Sequence, residues 1–183
     1  SANSINVARF LPQSFYYFNA YAQLDKMGKA DELVVSVPSG NFGNITAGLF
    51  AHRMGLPIKR FVAANNRNDV FLEYLRTGVY TPRPSVPTIA NAMDVGNPSN
   101  FARILDLYGK NGNPYAEIIQ LISGYRFTDE EIGATMKQVY DETSYILDPH
   151  GACGYQALIE NGEKQRVGMR KDFETFKSYL LAQ

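Results

Sequence analysis

A glycine-rich turn between an apolar run and an uncharged segment constrains the fold of this chain more than any other feature. Residues 33–37 read Leu-Val-Val-Ser-Val, and β-branched runs of this length are typical of a strand. The turn that follows contains Gly40 and Gly43, and the next charged residue is Arg53. This order predicts a strand over 33–37, a tight turn, and a largely buried helix over about 44–54 that ends at Gly55.

The turn has the composition of an anion-binding site. The first N–H groups of a helix have no partner inside the helix, and the helix dipole favours negative charge at that end, so phosphate is the obvious ligand. Gly40 and Gly43 let the backbone approach a ligand closely, and the side chains of Ser39, Asn41 and Asn44 can add hydrogen bonds. The turn matches neither the P-loop nor the dinucleotide-binding spacing. The alternative interpretation is an ordinary tight turn between a strand and a helix.

A second strand is predicted shortly after this helix, over residues 58–64. Strand, helix and strand at this spacing form a βαβ unit that should be parallel and right-handed. We therefore expect an α/β fold with a parallel, doubly wound sheet and flanking helices. The polar residues 65–69 follow the second strand at the carboxyl end of the sheet, where ligands bind in such folds, and could face the same site as the glycine turn.

The rest of the chain is predicted to be mainly helical. Helices are expected over about 5–24, 70–76, 101–108, 115–123, 128–142 and 172–181. Pro12 either kinks the first of these or lies in the first turn of its regular part. The prolines of residues 80–87 exclude regular structure, and the Asn-containing stretch 97–100 is more typical of a turn than of a ligand site.

Three residues invite a catalytic interpretation that their setting does not favour. His150 and Cys153 could be a base and a nucleophile, but they lie on one local turn without an orienting acid. His52 lies on a mostly apolar helix with no nearby partner, so a structural role is expected.

Composition excludes several classes of protein. The chain has 183 residues, of which 45% are hydrophobic, which suits one domain or one lobe of a larger one. Its 18 basic and 18 acidic residues balance, so neither nucleic acid nor a membrane surface is an expected partner. The single Cys153 rules out an internal disulfide, and no apolar run approaches the roughly 20 residues that span a bilayer. We expect a cytoplasmic protein and predict no metal site.

Four stretches taken together resemble one enzyme family. They are Ser-Ala-Asn-Ser-Ile-Asn at 1–6, Val-Pro-Ser-Gly-Asn-Phe-Gly-Asn at 37–44, Asn-Ala-Met-Asp-Val at 91–95 and Asp-Pro-His-Gly-Ala at 148–152. In order and spacing the chain is similar to the threonine synthase family, in its bacterial and fungal branch. The resemblance runs from residue 1 to about 162, with a further match at the final helix.

The resemblance implies a fold, a cofactor and a reaction. It implies the large-domain portion of a fold-type II enzyme that depends on pyridoxal 5'-phosphate (PLP) and converts O-phospho-L-homoserine and water to L-threonine and phosphate. By the family pattern the PLP phosphate binds the turn, namely Ser39, Gly40, Asn41, Phe42, Gly43 and Asn44. The substrate phosphate binds Asn3, Ser4 and Arg9, and Asn41 or Asn44 could reach the same group.

Two family motifs have no counterpart in this chain. The Schiff-base lysine of the family lies in a Ser-Phe-Lys-Asp-like motif, and no lysine here has that setting. The family's Thr-Ala-His-Pro-Ala-Lys-Phe-like stretch, which supplies the partner of the pyridine nitrogen, is absent after residue 160. We therefore expect residues 1–183 to be an incomplete PLP-phosphate-binding large domain, lacking an N-terminal region and a segment near 163–169, with the catalytic lysine outside it. The alternatives are a related PLP-dependent phospholyase and a non-catalytic phosphate-binding fragment.

Overall fold

The computed structural model describes residues 6–109 and 112–162 as three strands flanked by helices. The strands are β1 (Val34–Pro38), β2 (Arg60–Asn65) and β3 (Ile122–Arg126). The helices are α1 (Phe10–Lys26), α2 (Gly43–Arg53), α3 (Val70–Thr77), α4 (Phe101–Gly109), α5 (Pro114–Leu121), α6 (Asp129–Thr143) and α7 (Pro149–Glu160). Short 3₁₀ turns occupy Val7–Arg9 and Asn91–Met93. Within these residues no helix is both long enough and apolar enough to cross a membrane.

The three strands form one parallel sheet in the order β1-β2-β3. Val34 of β1 pairs with Arg60 of β2, and Phe61 of β2 pairs with Ile122 of β3. The carboxyl ends of all three strands therefore lie at the same edge of the sheet, and this edge carries the turns that follow them. The predicted parallel α/β fold with flanking helices is confirmed.

Side chains of β2 alternate between two apolar layers. Phe61 and Ala63 pack in one layer with residues of α1 to α5, whereas Val62 and Ala64 pack in the other with residues of α6 and α7. A central parallel strand is buried on both faces, which explains why β2 is almost continuously apolar after Arg60.

Several local predictions are confirmed. Pro12 lies in the first turn of α1, where its missing N–H is not needed. Gly55 follows α2 with a positive φ of 104°, which glycine adopts without strain. The residues between α3 and the turn at 91–93 form no helix or strand, as their prolines predict.

The predicted helix over 115–123 is wrong at its end, and β3 was not predicted at all. The helix α5 stops at Leu121, and Ile122 begins a strand that pairs with β2. A short apolar run does not distinguish helix from strand, so the pairing partner decides. Gly124 lets α3 pack closely on this strand, because a Cβ there would lie 2.8 Å from Leu75 Cδ1. The predicted helix over 172–181 and the segment 163–169 lie outside the described residues.

Candidate functional site

The glycine turn joins the end of β1 to the start of α2 at the carboxyl edge of the sheet. The Ser39 N–H donates to Ala64 O at 2.8 Å, which continues the pairing of β1 with β2 into the turn. The Ser39 hydroxyl donates to Val37 O at 2.7 Å, and the residue is 2% exposed. The first residue of the turn is therefore fixed by the strands, and its hydroxyl hydrogen already has an acceptor.

Phe42 gives the turn its shape. It lies just before α2 with a φ of 61°, in the left-handed region that a residue with a Cβ seldom occupies. Its ring is buried with its centroid 4.6 Å from that of Phe71, and its carbonyl accepts hydrogen bonds from Thr46 N and Thr46 Oγ1 at 3.1 and 2.5 Å. Burial of the ring offsets the backbone strain of about 1 kcal/mol or more that such a conformation costs.

The start of α2 has no side-chain cap. Phe42 cannot cap the helix, and its first turn contains no acidic residue. By contrast, α5, α6 and α7 are capped by the side chains of Asn113, Thr128 and Asp148. The first N–H groups of α2 thus lack the internal acceptor that these other helix starts possess, and this donor set fits the phosphate of PLP.

The two asparagines of the turn direct their amide oxygens toward protein donors. Asn41 Oδ1 accepts from Ser99 N at 2.7 Å and Ser99 Oγ at 3.0 Å, and Asn44 Oδ1 accepts from Tyr17 OH at 2.7 Å. Burial raises the pKa of the Tyr17 phenol, so it stays protonated and donates. The amide oxygens of both residues are thus engaged by protein donors, and an amide nitrogen is the kind of donor that suits an anion.

Gly40 is the position where the turn meets the stretch 91–95. A Cβ at Gly40 would lie 2.8 Å from Met93 Cα and 2.9 Å from Ala92 O, closer than real Cβ atoms approach. Glycine is therefore required here for close packing of two backbones rather than for a positive φ.

A buried polar cluster fixes this stretch against the turn. Asp94 Oδ1 accepts from Asn66 Nδ2 at 2.8 Å, Asn68 Nδ2 at 3.1 Å and Thr88 Oγ1 at 2.7 Å. Asn66 and Asn68 come from the polar residues that follow β2, which were predicted to lie near the glycine turn. Both bond to Asp94, which directly follows the residues that pack on Gly40, and a role of the two asparagines at a ligand site stays a prediction.

The predicted substrate-binding residues are only partly within the described chain. Asn3 and Ser4 lie outside it, whereas Arg9 ends the 3₁₀ turn immediately before α1. The next residue, Phe10, lies under the guanidinium of Arg103 at 5.4 Å, and Arg103 Nη1 donates to Asn100 Oδ1 at 2.7 Å. Asn100 in turn contacts the glycine turn, so a series of contacts leads from the start of α1 to that turn. The role of Arg9 stays a prediction.

Cys153 is placed as a structural residue rather than a nucleophile. Its side chain is buried, Sγ donates to Asn65 O at 3.4 Å, and burial raises the pKa of the thiol to about 12. The thiol is therefore protonated at neutral pH and unreactive. His150 Nδ1 lies 3.8 Å from Asp148 Oδ2, and Asp148 also caps α7 through its other oxygen.

His52 also agrees with a structural interpretation. Its ring meets Phe61 edge-on with centroids 6.4 Å apart, and burial together with the neighbouring charge of Arg53 lowers its pKa. The imidazole is consequently neutral at pH 7, in the apolar layer that contains α2.

Sequence reasoning missed the contacts made by residues 99–103. Asn100 is completely buried and its Nδ2 donates to Asn41 O at 2.8 Å, although the stretch 97–100 was interpreted as turn chemistry alone. Residues 97–100 do form a turn, and in addition Asn100 bonds to Asn41 of the glycine turn. The signal available in the sequence was the polar pair Ser99-Asn100, which directly precedes the helix α4.

Comparison with known proteins identifies the class to which this fold and site belong. A family model described as pyridoxal-phosphate dependent enzyme matches residues 3–172. The chain belongs to this family, which confirms the predicted cofactor at the level of the family.

Within that family the similar proteins include several threonine synthases. The threonine synthase of Haemophilus influenzae is 47% identical over 169 residues, which cover 92% of this chain and 38% of that protein. The crystal structure of threonine synthase from Escherichia coli superimposes with a TM-score of 0.79 at 43% identity, covering 87% of this chain and 36% of that one. The PLP-bound threonine synthase from Brucella melitensis gives a TM-score of 0.79 at 34% identity over 88% of this chain and 39% of that one. This chain spans about 38% of the length of the curated relatives that it matches.

Proposed function

We propose that this chain is the PLP-phosphate-binding large-domain part of a threonine synthase. The enzyme would convert O-phospho-L-homoserine and water to L-threonine and phosphate. The observation that carries the proposal is the uncapped start of α2 behind a glycine turn, in a chain 47% identical to a threonine synthase. A helix start without an internal acceptor suits an anionic cofactor group held by backbone N–H groups.

The glycine turn would hold the phosphate of PLP. The backbone N–H groups at the start of α2 and the amide nitrogens of Asn41 and Asn44 supply donors on one stretch of chain. PLP, when bound, supplies the electron sink that permits loss of protons from the substrate carbons and departure of its phosphate. The contribution of this chain is to anchor and orient the cofactor, because rigid donors cost little reorganisation during the reaction.

A second phosphate, that of the substrate, requires a second set of donors. Asn3, Ser4 and Arg9 are the proposed set, since a guanidinium fork with amide and hydroxyl donors suits a phosphate dianion that must be held as it leaves. Arg9 is placed at the start of α1, and Tyr17 of the same helix contacts Asn44 of the glycine turn. This contact supports a substrate site beside the cofactor site.

The proposal assigns the covalent cofactor lysine and the partner of the pyridine nitrogen to parts of the enzyme outside this chain. It includes the cytoplasmic location, the small-molecule substrate and the lack of nucleic-acid or membrane partners predicted above. Equal numbers of basic and acidic residues support the last of these.

The test uses the full-length protein that carries this chain, supplied with PLP and O-phospho-L-homoserine. We expect release of phosphate together with L-threonine, identified by mass. Release of phosphate with 2-oxobutyrate would instead support a phospholyase. PLP binding without phosphate release would support a non-catalytic phosphate-binding protein, and either result would contradict the proposal.

A further inference from the structure

The buried Asn100 and the half-buried Arg103 form a polar pair that holds the backbone of the glycine turn. Asn100 is 0% exposed, and its Nδ2 donates to the carbonyl oxygen of Asn41 at 2.8 Å. Its Oδ1 accepts from Arg103 Nη1 at 2.7 Å. Because a guanidinium can only donate, Arg103 determines which end of the Asn100 amide faces it and thereby presents the amide nitrogen to Asn41.

The bond to Asn41 O fixes the orientation of the peptide between Asn41 and Phe42. This peptide is trans, as are all peptides in the described residues, so its C=O and N–H point in opposite directions. With the carbonyl tied to Asn100, the Phe42 N–H points away from Asn100. A peptide flip would exchange the two groups and turn a partially negative oxygen toward the opposite side.

Asn41 is held a second time through its side chain. Its Oδ1 accepts from both the N–H and the hydroxyl of Ser99, at 2.7 and 3.0 Å. Ser99 and Asn100 are neighbours, so one dipeptide binds the main chain and the side chain of the same residue. Two independent attachments restrict rotation of Asn41 far more than one would.

Arg103 is itself fixed by an aromatic ring. Its guanidinium carbon lies 5.4 Å from the ring centroid of Phe10, which is 1% exposed and is the first residue of α1. A planar guanidinium packs on a ring face while it donates in its own plane, and lysine cannot do both as well. Arg103 therefore holds a defined position beside Asn100.

We propose that Asn100 and Arg103 are positioning residues for the cofactor phosphate, acting by orienting the Asn41–Phe42 peptide so that its N–H faces that phosphate. The proposal rests on the proposed function of the glycine turn as the PLP-phosphate site. Neither residue touches the cofactor in this scheme. Their effect is confined to the phosphate end of PLP.

The test compares the affinities of the full-length protein for PLP and for pyridoxal, which lacks the phosphate. Asn100→Asp keeps the size of the side chain and the acceptor for Arg103 but removes the donor to Asn41 O. We expect PLP affinity to fall about 10-fold or more, and pyridoxal affinity to change less than about 2-fold. The ³¹P chemical shift of bound PLP should also move, because the phosphate loses a donor.

Arg103→Met and Arg103→Lys provide a second, independent series. The Met variant should lower the PLP-to-pyridoxal affinity ratio by a smaller factor, and the Lys variant should restore part of it because it retains a donor. Thr135→Val is the matched control, since Thr135 is also buried, on the other face of the sheet, and its hydroxyl bonds to Glu131 O at 2.9 Å and Gln156 Oε1 at 3.2 Å. Its melting temperature should fall while its affinity ratio stays at the wild-type value.

Two outcomes would overturn the proposal, and a third would overturn the function on which it rests. An unchanged ratio in Asn100→Asp and Arg103→Met would show that the pair does not orient the phosphate site. An equal loss of PLP and pyridoxal affinity would show a merely structural role. If the wild-type protein bound PLP no more tightly than pyridoxal, the glycine turn would not be a cofactor-phosphate site at all.

Discussion

The helices α2 and α7 begin on opposite faces of the sheet beside the end of β2, and they differ in whether a side chain caps their first N–H groups. The helix α7 places Cys153 against Asn65, the last residue of β2, and Asp148 caps its first turn by accepting from Gly151 N at 2.6 Å. The helix α2 follows the turn whose Ser39 bonds Ala64, and its first turn contains neither a cap nor an acid. The dipoles of the two helices point the same way relative to their starts, yet only the start of α7 has a side-chain acceptor of its own. A missing side-chain cap is not by itself a site, since α1 and α3 also begin without one; what distinguishes α2 is the glycine turn that precedes it.

The largest change in PLP affinity is expected for Gly40→Ala, which alters the turn before α2 and leaves α7 untouched. The new methyl group would meet Met93 Cα and Ala92 O at under 3.0 Å, so the turn must shift. Overpacking of this kind costs about 1–3 kcal/mol, which would weaken PLP binding by roughly 5- to 150-fold if the shift falls on the phosphate site. Titration of the full-length protein with PLP measures this loss of affinity.

Gly133→Ala is the matched control for this substitution. Gly133 lies inside α6 with no atom within 4 Å of its added Cβ. We expect PLP affinity to stay unchanged and stability to rise by about 0.5–1 kcal/mol. Equal PLP affinities for the two alanine variants would mean that the turn tolerates displacement and does not bind the phosphate closely.

An intermediate effect is expected from Asn44→Asp, which gives α2 the charge that α7 has. An aspartate there can still accept from Tyr17 OH, so local packing is retained. The cofactor-free protein should gain about 0.3–1 kcal/mol of stability from the helix dipole, while PLP affinity should fall about 10-fold because two anions would compete for the same donors. Thermal unfolding with and without PLP measures both. A variant that binds PLP as well as the wild type would remove the distinction between the two helix starts.

The smallest effect on the cofactor is expected from Asp148→Ala, which makes the start of α7 resemble that of α2. Loss of the cap should cost about 1 kcal/mol of unfolding free energy and leave PLP affinity within about 2-fold of wild type. Asp148→Asn should restore most of the stability, because asparagine caps equally well. Chemical denaturation measures the unfolding free energy, and PLP titration measures the affinity. A large loss of cofactor affinity would show that α7 also belongs to the site.

The sequence predicted the structure around the candidate site wherever the signal was local. The strand, the glycine turn and the start of α2 are contiguous, so residue types and spacing sufficed to predict them and to suggest an anion. The contacts of Asn41 with Ser99 and Asn100 could not be predicted in this way, because the partners are 58 and 59 residues apart and only the fold brings them together. Polar residues in a turn look the same whether they bond to their own loop or to a distant one.

The strand β3 was missed for a related reason. Residues 118–122 alternate too little to distinguish a helix from a strand, and the outcome depends on an unfilled hydrogen-bonding edge of β2 that local sequence does not reveal. Tertiary pairing then overrides local preference.

The left-handed conformation of Phe42 makes the turn depend on residues far from it in the sequence. Its ring packs against Phe71, whose centroid lies 5.7 Å from that of Phe101, so the shape of the turn depends on aromatic residues from α3 and α4. The backbone geometry of the turn is therefore supported by the packing of the apolar layer. Substitutions in α3 and α4 that remove these rings would therefore alter the turn although neither helix belongs to it.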